Sequence, residues 1–409
     1  MAPPATAARL LDVTRLVSRL GRGPLTGIDR VEDAYLDQLL KGDRPLFGLV
    51  RTALGYVLLD HAGCAGLAAL VRGDAALPPP DLIGRIFHRR NPRLGRAEAA
   101  VRRLAIARVA RPMLAWLLRR LPAGSSYLNV GHSNLTHRTL QQLHRAGLRI
   151  AVLVHDTIPL DHPAFARAGT VDPFQRKLAA VSRFADLVIH TTEDARAKTQ
   201  HHLAAMGRVP AGVVANLGVP QPQPNMADLP PGFALTPPYF VALGTIEPRK
   251  NHALLLDIWD HFGTGPDTPR LFIIGGRGWA APEVFARLDA LPPDHPVKLL
   301  TGLSDPAVMA ILAKAAALLF PSRAEGFGLP VVEAAALGVP VITSNLPVIK
   351  ELLGDYAVYL DVTDIYSWIE TIKTHINAMQ QGGSTGTRPQ DRKDPPTWPD
   401  HFKIVLMDL

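Results

Sequence analysis

From about residue 239 onward, short apolar runs alternate with stretches of helical periodicity. Tyr239–Leu243, Leu271–Ile274, Val297–Leu300, Ala317–Phe320 and Val339–Thr343 read as buried strands, and the segments from Asn251, over Pro282–Leu291, over Asp305–Ala316 and from Pro330 read as helices. Such alternation predicts a parallel sheet covered on both faces. The signal is sparser earlier in the chain. There Arg149–Val154 and Leu187–Thr191 read as strands and Gln175–Phe184 and Asp194–Ala205 as helices, enough to predict a second α/β domain. Between Val219 and Pro238 prolines recur too densely for a helix or central strand, which marks a linker. The predicted class is therefore α/β, with two doubly wound Rossmann-like domains, 1–218 and 239–380, facing each other across a cleft. A polar loop and terminal segment over 381–409 completes the chain and is expected to pack back on the first domain.

Length agrees with two cores, since 409 residues exceed what one usually serves. The apolar fraction of 47% with 20% charged residues is that of an ordinary globular protein. The single cysteine, Cys64, excludes an intramolecular disulfide and a cysteine-built metal site, which fits a reducing compartment. Arg9, Asp12, Arg15 and Arg19 interrupt every apolar stretch in Met1–Leu20, and no later stretch approaches the ~20 apolar residues of a membrane span. The expected location is the cytoplasm. The net charge of +8 favours acidic partners. Much of it lies between Arg85 and Arg120, where arginines interleave with Leu104, Ile106, Val109, Leu114, Trp116 and Leu117. This basic, partly amphipathic region reads either as peripheral attachment to an anionic inner membrane surface or as a solvated outer helix. Nucleic-acid-binding motifs are absent, and no nucleic-acid partner is expected.

The densest chemistry follows the strand ending at Phe320, in Pro321-Ser322-Arg323-Ala324-Glu325-Gly326-Phe327-Gly328-Leu329-Pro330-Val331-Val332-Glu333-Ala334. Pro330 suits the first position of a helix. Gly326 and Gly328 then lie in a strand-to-helix turn whose bare backbone N–H groups and helix dipole favour an anion, in the manner of a diphosphate cradle. Glu325 before the turn and Glu333 in the first helical turn address different parts of one extended ligand, Glu325 a hexose and Glu333 a ribose. A lone glutamate would read as a cap or a loop carboxylate; the flanked doublet does not. Upstream, Gly244-Thr245-Ile246-Glu247-Pro248-Arg249-Lys250-Asn251 places two adjacent cations after a strand, which suits a diphosphate leaving group.

The run EGFGLPVVEA resembles the E-x7-E signature of the family 4 retaining glycosyltransferases, and ALGVPVITSNLPVIKELLGD resembles the strand and helix that follow it there. The resemblance is clear from about Tyr239 to Asp361 and looser before. It implies the GT-B fold, with an acceptor-binding first domain and a nucleotide-sugar-binding second. It also implies that Glu325 contacts the sugar with the backbone of Gly326, Phe327 and Gly328, with Leu329 completing the turn. Glu333 would then bind the ribose and Lys250 the diphosphate, with Gly244 and Arg249 alongside. Many members carry arginine where this chain has Thr245, which leaves open whether Arg249 compensates. The GTIEPRKN wording resembles that of mannosyltransferases in bacterial surface polysaccharide assembly. In the first domain, Val154-His155-Asp156-Thr157-Ile158-Pro159-Leu160 follows a strand and is similar to segments lining related active sites. His155 there donates to a sugar hydroxyl or serves as a base, against the plainer reading of a structural histidine, and Asp156 either orients the imidazole or caps the next turn. Thr26-Gly27-Ile28-Asp29-Arg30-Val31 resembles the family's first glycine-containing loop, although it also reads as a helix start; Gly131-His132-Ser133-Asn134 is a further candidate loop facing the acceptor, with His132 at its centre. Arg277 in Gly275-Gly276-Arg277-Gly278-Trp279 is a candidate phosphate contact.

No Asp-x-Asp triplet occurs, so no metal or other cofactor is expected. Lys250, Arg249 and the helix N-terminus at Gly328–Pro330 would neutralise the departing diphosphate while an acceptor hydroxyl attacks from the same face. The expectation is a retaining hexosyltransferase. Resemblance favours mannose from GDP-mannose as donor and a polyprenyl-diphosphate-linked oligosaccharide as acceptor. The competing readings are a sugar-nucleotide epimerase on the same fold, a glycoside hydrolase using the paired glutamates, and a non-enzymatic binding module.

Overall fold

The computed structural model describes residues 6–23, 25, 27–230, 233, 235, 238–279, 281–380, 393–407 and 409. Thr26, most of 231–237 and the stretch 381–392 of the expected polar loop lie outside the described residues.

The first sheet has eight strands: β1 (Arg9–Asp12), β2 (Leu46–Arg51), β3 (Gly55–Leu59), β4 (Ala107–Ala110), β5 (Ser126–Asn129), β6 (Arg149–Val154), β7 (Leu187–His190) and β8 (Ala211–Val214). Their spatial order is β4-β3-β2-β1-β5-β6-β7-β8. Chain order reverses between β1 and β5, which makes that point the crevice where a doubly wound sheet receives ligands. The sheet is not wholly parallel, because β3 runs antiparallel to both β2 and β4. The region expected to be helical between Arg85 and Arg120 is therefore broken up. It contains part of the helix Leu82–Phe87, then the helix Pro92–Leu104, edge strand β4 and a short helix Leu114–Leu118. Helical spacing of Ile106 and Val109 misread β4, whose alternate half-buried and exposed residues follow a strand's period of two.

The second sheet has six strands, all parallel: β9 (Tyr239–Leu243), β10 (Arg270–Ile274), β11 (Val297–Leu300), β12 (Ala317–Phe320), β13 (Val341–Ser344) and β14 (Val358–Leu360), in the order β11-β10-β9-β12-β13-β14. β13 begins two residues later than its apolar run, since Val339 and Pro340 complete the preceding turn. The helix Asp305–Leu312 ends earlier than expected, and the helix after β12 starts at Leu329 with Pro330 second. β12 pairs directly with β9, so the chain-order reversal brings the loops after these two strands side by side. Those loops carry Arg249–Lys250 and Glu325–Gly328.

The last helix, Trp398–Met407, begins inside the stretch expected to be a loop. It lies on the first lobe. Phe402 packs edge-on against Tyr35 with ring centroids 4.8 Å apart, and the Tyr35 hydroxyl meets His401 Nε2 at 2.7 Å. The His401 Nδ1 donates to the Asn216 carbonyl at 3.0 Å, so its Nε2 accepts from the tyrosine. Among the described residues no helix is long and apolar enough to cross a membrane.

Candidate active site

The strand ends of both sheets open onto a cavity of about 570 Å³ lined by Gly27, Arg30, His155, Asp156, Gly244, Arg249, Lys250, the turn Glu325–Pro330 and Glu333. Nearly every residue singled out from sequence thus meets in one place, drawn from both lobes.

Glu325 is its electrostatic centre. Lys250 Nζ donates to Oε1 at 2.6 Å and Arg249 Nη1 to Oε2 at 2.6 Å. Arg249 is also held by Glu247 at 2.6 Å, and Nη1 donates to the Ala324 carbonyl at 3.1 Å. Burial would raise the Glu325 carboxyl, but the two cations outweigh it and hold it down at about 2. Arg249 is therefore a cage for Glu325, with both of its Nη groups engaged. Lys250 keeps two of its three donors for a ligand, although burial lowers its pKa despite Glu325. Its ammonium lies 4.3 Å from the centre of the Phe320 ring, a favourable cation–π contact. Thr245 is exposed on the cavity wall, and Arg249 is turned to Glu325.

Two glycines in the turn have different reasons to be glycine. Gly328 sits at φ 94°, a left-handed conformation, as the N-cap of the helix Leu329–Leu337. Gly326 presses on the first lobe: a Cβ there would lie 2.7 Å from the His155 carbonyl oxygen and 2.8 Å from Asp156 Cβ. The Thr191 hydroxyl donates to the Gly326 carbonyl at 3.0 Å from the same side. Glu351 adds to the contact, its two oxygens accepting from the N–H groups of Glu193 and Asp194 at 2.8 and 3.1 Å.

His155 is committed at one nitrogen. Nε2 meets the Val130 carbonyl at 2.7 Å, so it carries the proton, and burial pulls the imidazole pKa down to about 4. A neutral ring with Nε2 protonated leaves Nδ1 as an acceptor. Of the two roles left open by sequence, donation to a sugar hydroxyl is thereby removed. Asp156 Oδ1 accepts from the Ile158 N–H at 3.1 Å, which is the capping role; no hydrogen bond joins it to the His155 ring among the described residues.

Arg30 follows Gly27 in the same segment, and sequence alone assigns it no role. It crosses the cleft, donating to Glu333 Oε1 at 3.1 Å and to Asp305 at 2.6 Å. Burial raises the Glu333 pKa, with Arg30 opposing and Asp305 reinforcing the rise. Glu333 lies beyond the first turn of its helix, facing Arg30 and the cavity. The sequence signal available was a cation two residues after the loop at the first turn of the helix Ile28–Leu40.

Two assignments fall outside the cavity. Arg277 is exposed and forked onto Asp289, away from the cavity lining. His132 is packed behind His155, ring centroids 5.1 Å apart, with Nε2 donating to the Leu153 carbonyl at 2.9 Å. Among the described residues no group of three metal-binding side chains is gathered.

Residues 230–379 match the family described as Glycosyl transferases group 1. The chain is 31% identical over 228 residues to the serotype-specific mannosyltransferase WbdA of Escherichia coli, covering 52% of this chain and 28% of that protein. It is 35% identical over 138 residues to the O-antigen chain mannosyltransferase RfbU of Salmonella typhimurium, covering 33% of this chain and 37% of RfbU. The matches thus span well under half the length of these curated relatives. Among solved structures, Anabaena HepE, crystallised with UDP and glucose, aligns over 98% of this chain and 97% of its own with TM-score 0.55 and 15% identity. A variant of S. aureus TarM aligns over 72% of this chain and 58% of its own with TM-score 0.53 and 13% identity. Residues 230–379 are thus similar to the glycosyltransferase group 1 family, and the chain as a whole has the GT-B fold.

Proposed function

We propose that this chain transfers a hexose from a nucleotide-diphosphate sugar to a glycan acceptor with retained configuration. The observation that carries the reading is Glu325, held ionised by Lys250 and Arg249 at the mouth of an amide-rich turn, with Glu333 in the same cavity. In the proposed complex the diphosphate sits on the N–H groups of the turn and takes the free donors of Lys250, and Glu325 grips the sugar. Glu333 exchanges Arg30 for ribose hydroxyls. Charge leaving with the diphosphate is met by fixed groups, so the acceptor hydroxyl can attack on the departing face without a protein nucleophile. His155 Nδ1 is placed to accept from a donor-sugar hydroxyl.

The activities of these relatives favour mannose, and with it GDP-mannose, in O-antigen-type polysaccharide assembly. A lipid-linked acceptor and contact with an anionic inner membrane surface belong to the same proposal. The hydrolase alternative meets an obstacle in Glu325, which at a pKa of about 2 has no proton to give a leaving group at neutral pH.

The test incubates purified protein with membranes and a panel of labelled sugar nucleotides. Label from GDP-mannose should enter lipid in α-linkage. Release of free sugar without acceptor, or epimerisation of the donor alone, would replace the reading.

A further inference from the structure

One short helix of the first lobe turns large apolar side chains to solvent. In Leu82–Phe87, Leu82 is 75%, Ile86 67% and Phe87 55% exposed. The helix is firmly held from behind. A Cβ on Gly84 would lie 2.7 Å from the Gly95 carbonyl oxygen of the helix Pro92–Leu104. Asp81 caps the Gly84 N–H at 2.7 Å, and Arg102 donates to both Asp81 oxygens at 2.7 Å. Leu82 stands about 200° around the helix from Gly84, with Ile86 one turn further on, so the pair points away from the molecule. The charge around it has one sign. Between Leu82 and Ala97 stand Arg85, Arg89, Arg90, Arg93 and Arg96, all exposed, and no Asp or Glu. The carboxylates on either side, Asp81 and Glu98, are both taken by Arg102. Among the described residues none of the five arginines has a carboxylate at ion-pair distance. Single exposed apolar residues are ordinary, but three on one short helix among uncompensated cations have the make-up of an element that lies in a membrane interface. A second copy of the chain would set arginines against arginines, and a nucleic acid would leave Leu82 and Ile86 in water.

The same element reaches the rim of the active-site cavity. A Cβ on Gly21 would lie 3.4 Å from Arg93 Cδ and 3.3 Å from Leu77 Cδ1, and Arg96 donates to the Leu77 and Pro78 carbonyls at 2.6 and 3.1 Å. Gly21 lies between Arg19 and Arg22, and both of these line the cavity. Arg93 precedes Gly95 by two residues and Gly95 touches Gly84, so the outward pair stands about one to two helix widths, some 10–20 Å, from the rim. We propose that Leu82, Ile86 and Phe87 enter an anionic bilayer surface, with the surrounding arginines on its headgroups, and that this docking holds the cavity mouth at Arg19 and Arg22 against the membrane. The idea rests on the transferase reading above, from which it takes a lipid-linked acceptor. It adds the face that docks and the way the cleft is turned. An acceptor whose lipid stays in the bilayer then meets the cavity without leaving the interface.

The experiment sediments the full chain with phosphatidylcholine vesicles, with and without phosphatidylglycerol. Wild type should bind the anionic vesicles and be released by salt. Two double variants, Leu82→Ser with Ile86→Ser and Arg89→Ala with Arg90→Ala, change only exposed side chains, and each should lower the partition coefficient about tenfold or more. No binding by wild type, or undiminished binding in either double variant, overturns the face. That includes the case in which the serine variant breaks a dimer of wild type and still binds vesicles, which would assign the face to a second copy. Kinetics test the orientation. Transfer to a long-chain acceptor embedded in the vesicles should fall in step with binding. The donor KM, and transfer to the same glycan on a short, soluble lipid, should stay as in wild type. Equal losses on both acceptors would refute the docking role. If wild type binds the vesicles but transfers nothing, the transferase reading fails by itself, and the membrane face stands on the binding of the variants alone.

Discussion

The two lobes solve the same problem by opposite means. In the second, a six-stranded parallel sheet places its charges on loops only a few residues long, and those charges satisfy one another locally: Lys250 and Arg249 close on Glu325, Glu247 on Arg249. In the first, the polar groups at the strand ends come from distant segments of the chain and bond to one another. Asp12 at the end of β1 accepts from the Tyr127 hydroxyl at 2.8 Å and from Asn134 at 2.6 Å, and His155 donates to a carbonyl of the neighbouring loop. The second lobe concentrates its charges on adjacent loops, whereas the first brings its polar groups together over long stretches of chain and adds Arg19, Arg22 and Arg30 to the cavity wall.

The largest effect expected from breaking the comparison is on the charged side. Lys250→Ala removes the cation with donors to spare, while Arg249 still neutralises Glu325, so the protein should fold and transfer should fall about a hundredfold to a thousandfold. Steady-state rates on the purified variant decide it. Turnover equal to wild type would mean that the diphosphate lies elsewhere.

Gly326→Ala strikes the joint between the lobes. Its methyl would meet the His155 carbonyl and Asp156 Cβ at under 3 Å, contacts with backbone and a short side chain that have little room to yield. Each lobe should fold, but the closed cleft should be strained by about 1–3 kcal/mol, with transfer lowered some tenfold to a hundredfold. Small-angle scattering should report a more open particle. A compact, fully active variant would show that closure does not need this contact.

These contrasts also explain what the sequence disclosed. The Glu325–Glu333 turn and the Arg249–Lys250 loop were legible because each spans under a dozen residues, so local spacing encodes the geometry. Arg30 was not, because its partners Glu333 and Asp305 lie some 300 residues away and only the folded cleft brings them together. Arg277 failed for the converse reason: it follows the correct strand, yet nothing local showed that its guanidinium would turn to Asp289. β1 to β5 were missed, as were β8 and β14, since three to six residues leave a short record of period two, and the β2–β3 hairpin lies outside the strand–helix alternation that revealed the second sheet.

Acid should separate the lobes more gently. Burial pulls His155, His190, His252 and His401 down to about 4, against about 6.5 in the unfolded chain. Between those values the unfolded chain binds more protons, so stability falls as pH drops from about 6.5 to 4, by at most about 1.4 kcal/mol per histidine per pH unit. Glu325, held at about 2, behaves differently: its contribution is intact above about 4.5 and fades only as pH approaches 2. His155 and His190 belong to the first lobe and His401 to the helix that braces it, so that lobe should loosen first. Hydrogen exchange at pH 7 and pH 5, resolved by lobe, would show it; equal protection changes in both lobes would contradict the assignment.

The smallest effect belongs to the one cysteine, and it tests whether first-lobe packing can be altered without touching the cleft. Cys64 is fully buried in the helix His61–Arg72, its sulfur 3.0 Å from where a Cβ on Gly48 of β2 would stand. Burial pushes its thiol up to about 12, so it is inert as a nucleophile. Cys64→Ser keeps the volume but buries a hydroxyl beside a strand whose backbone groups are already paired to β1 and β3. Stability should drop by about 1–3 kcal/mol, read as a lower denaturation midpoint, while transfer per folded molecule is unchanged. A loss of turnover larger than the loss of folded protein would mean that the core under β2 sets the geometry of the cleft.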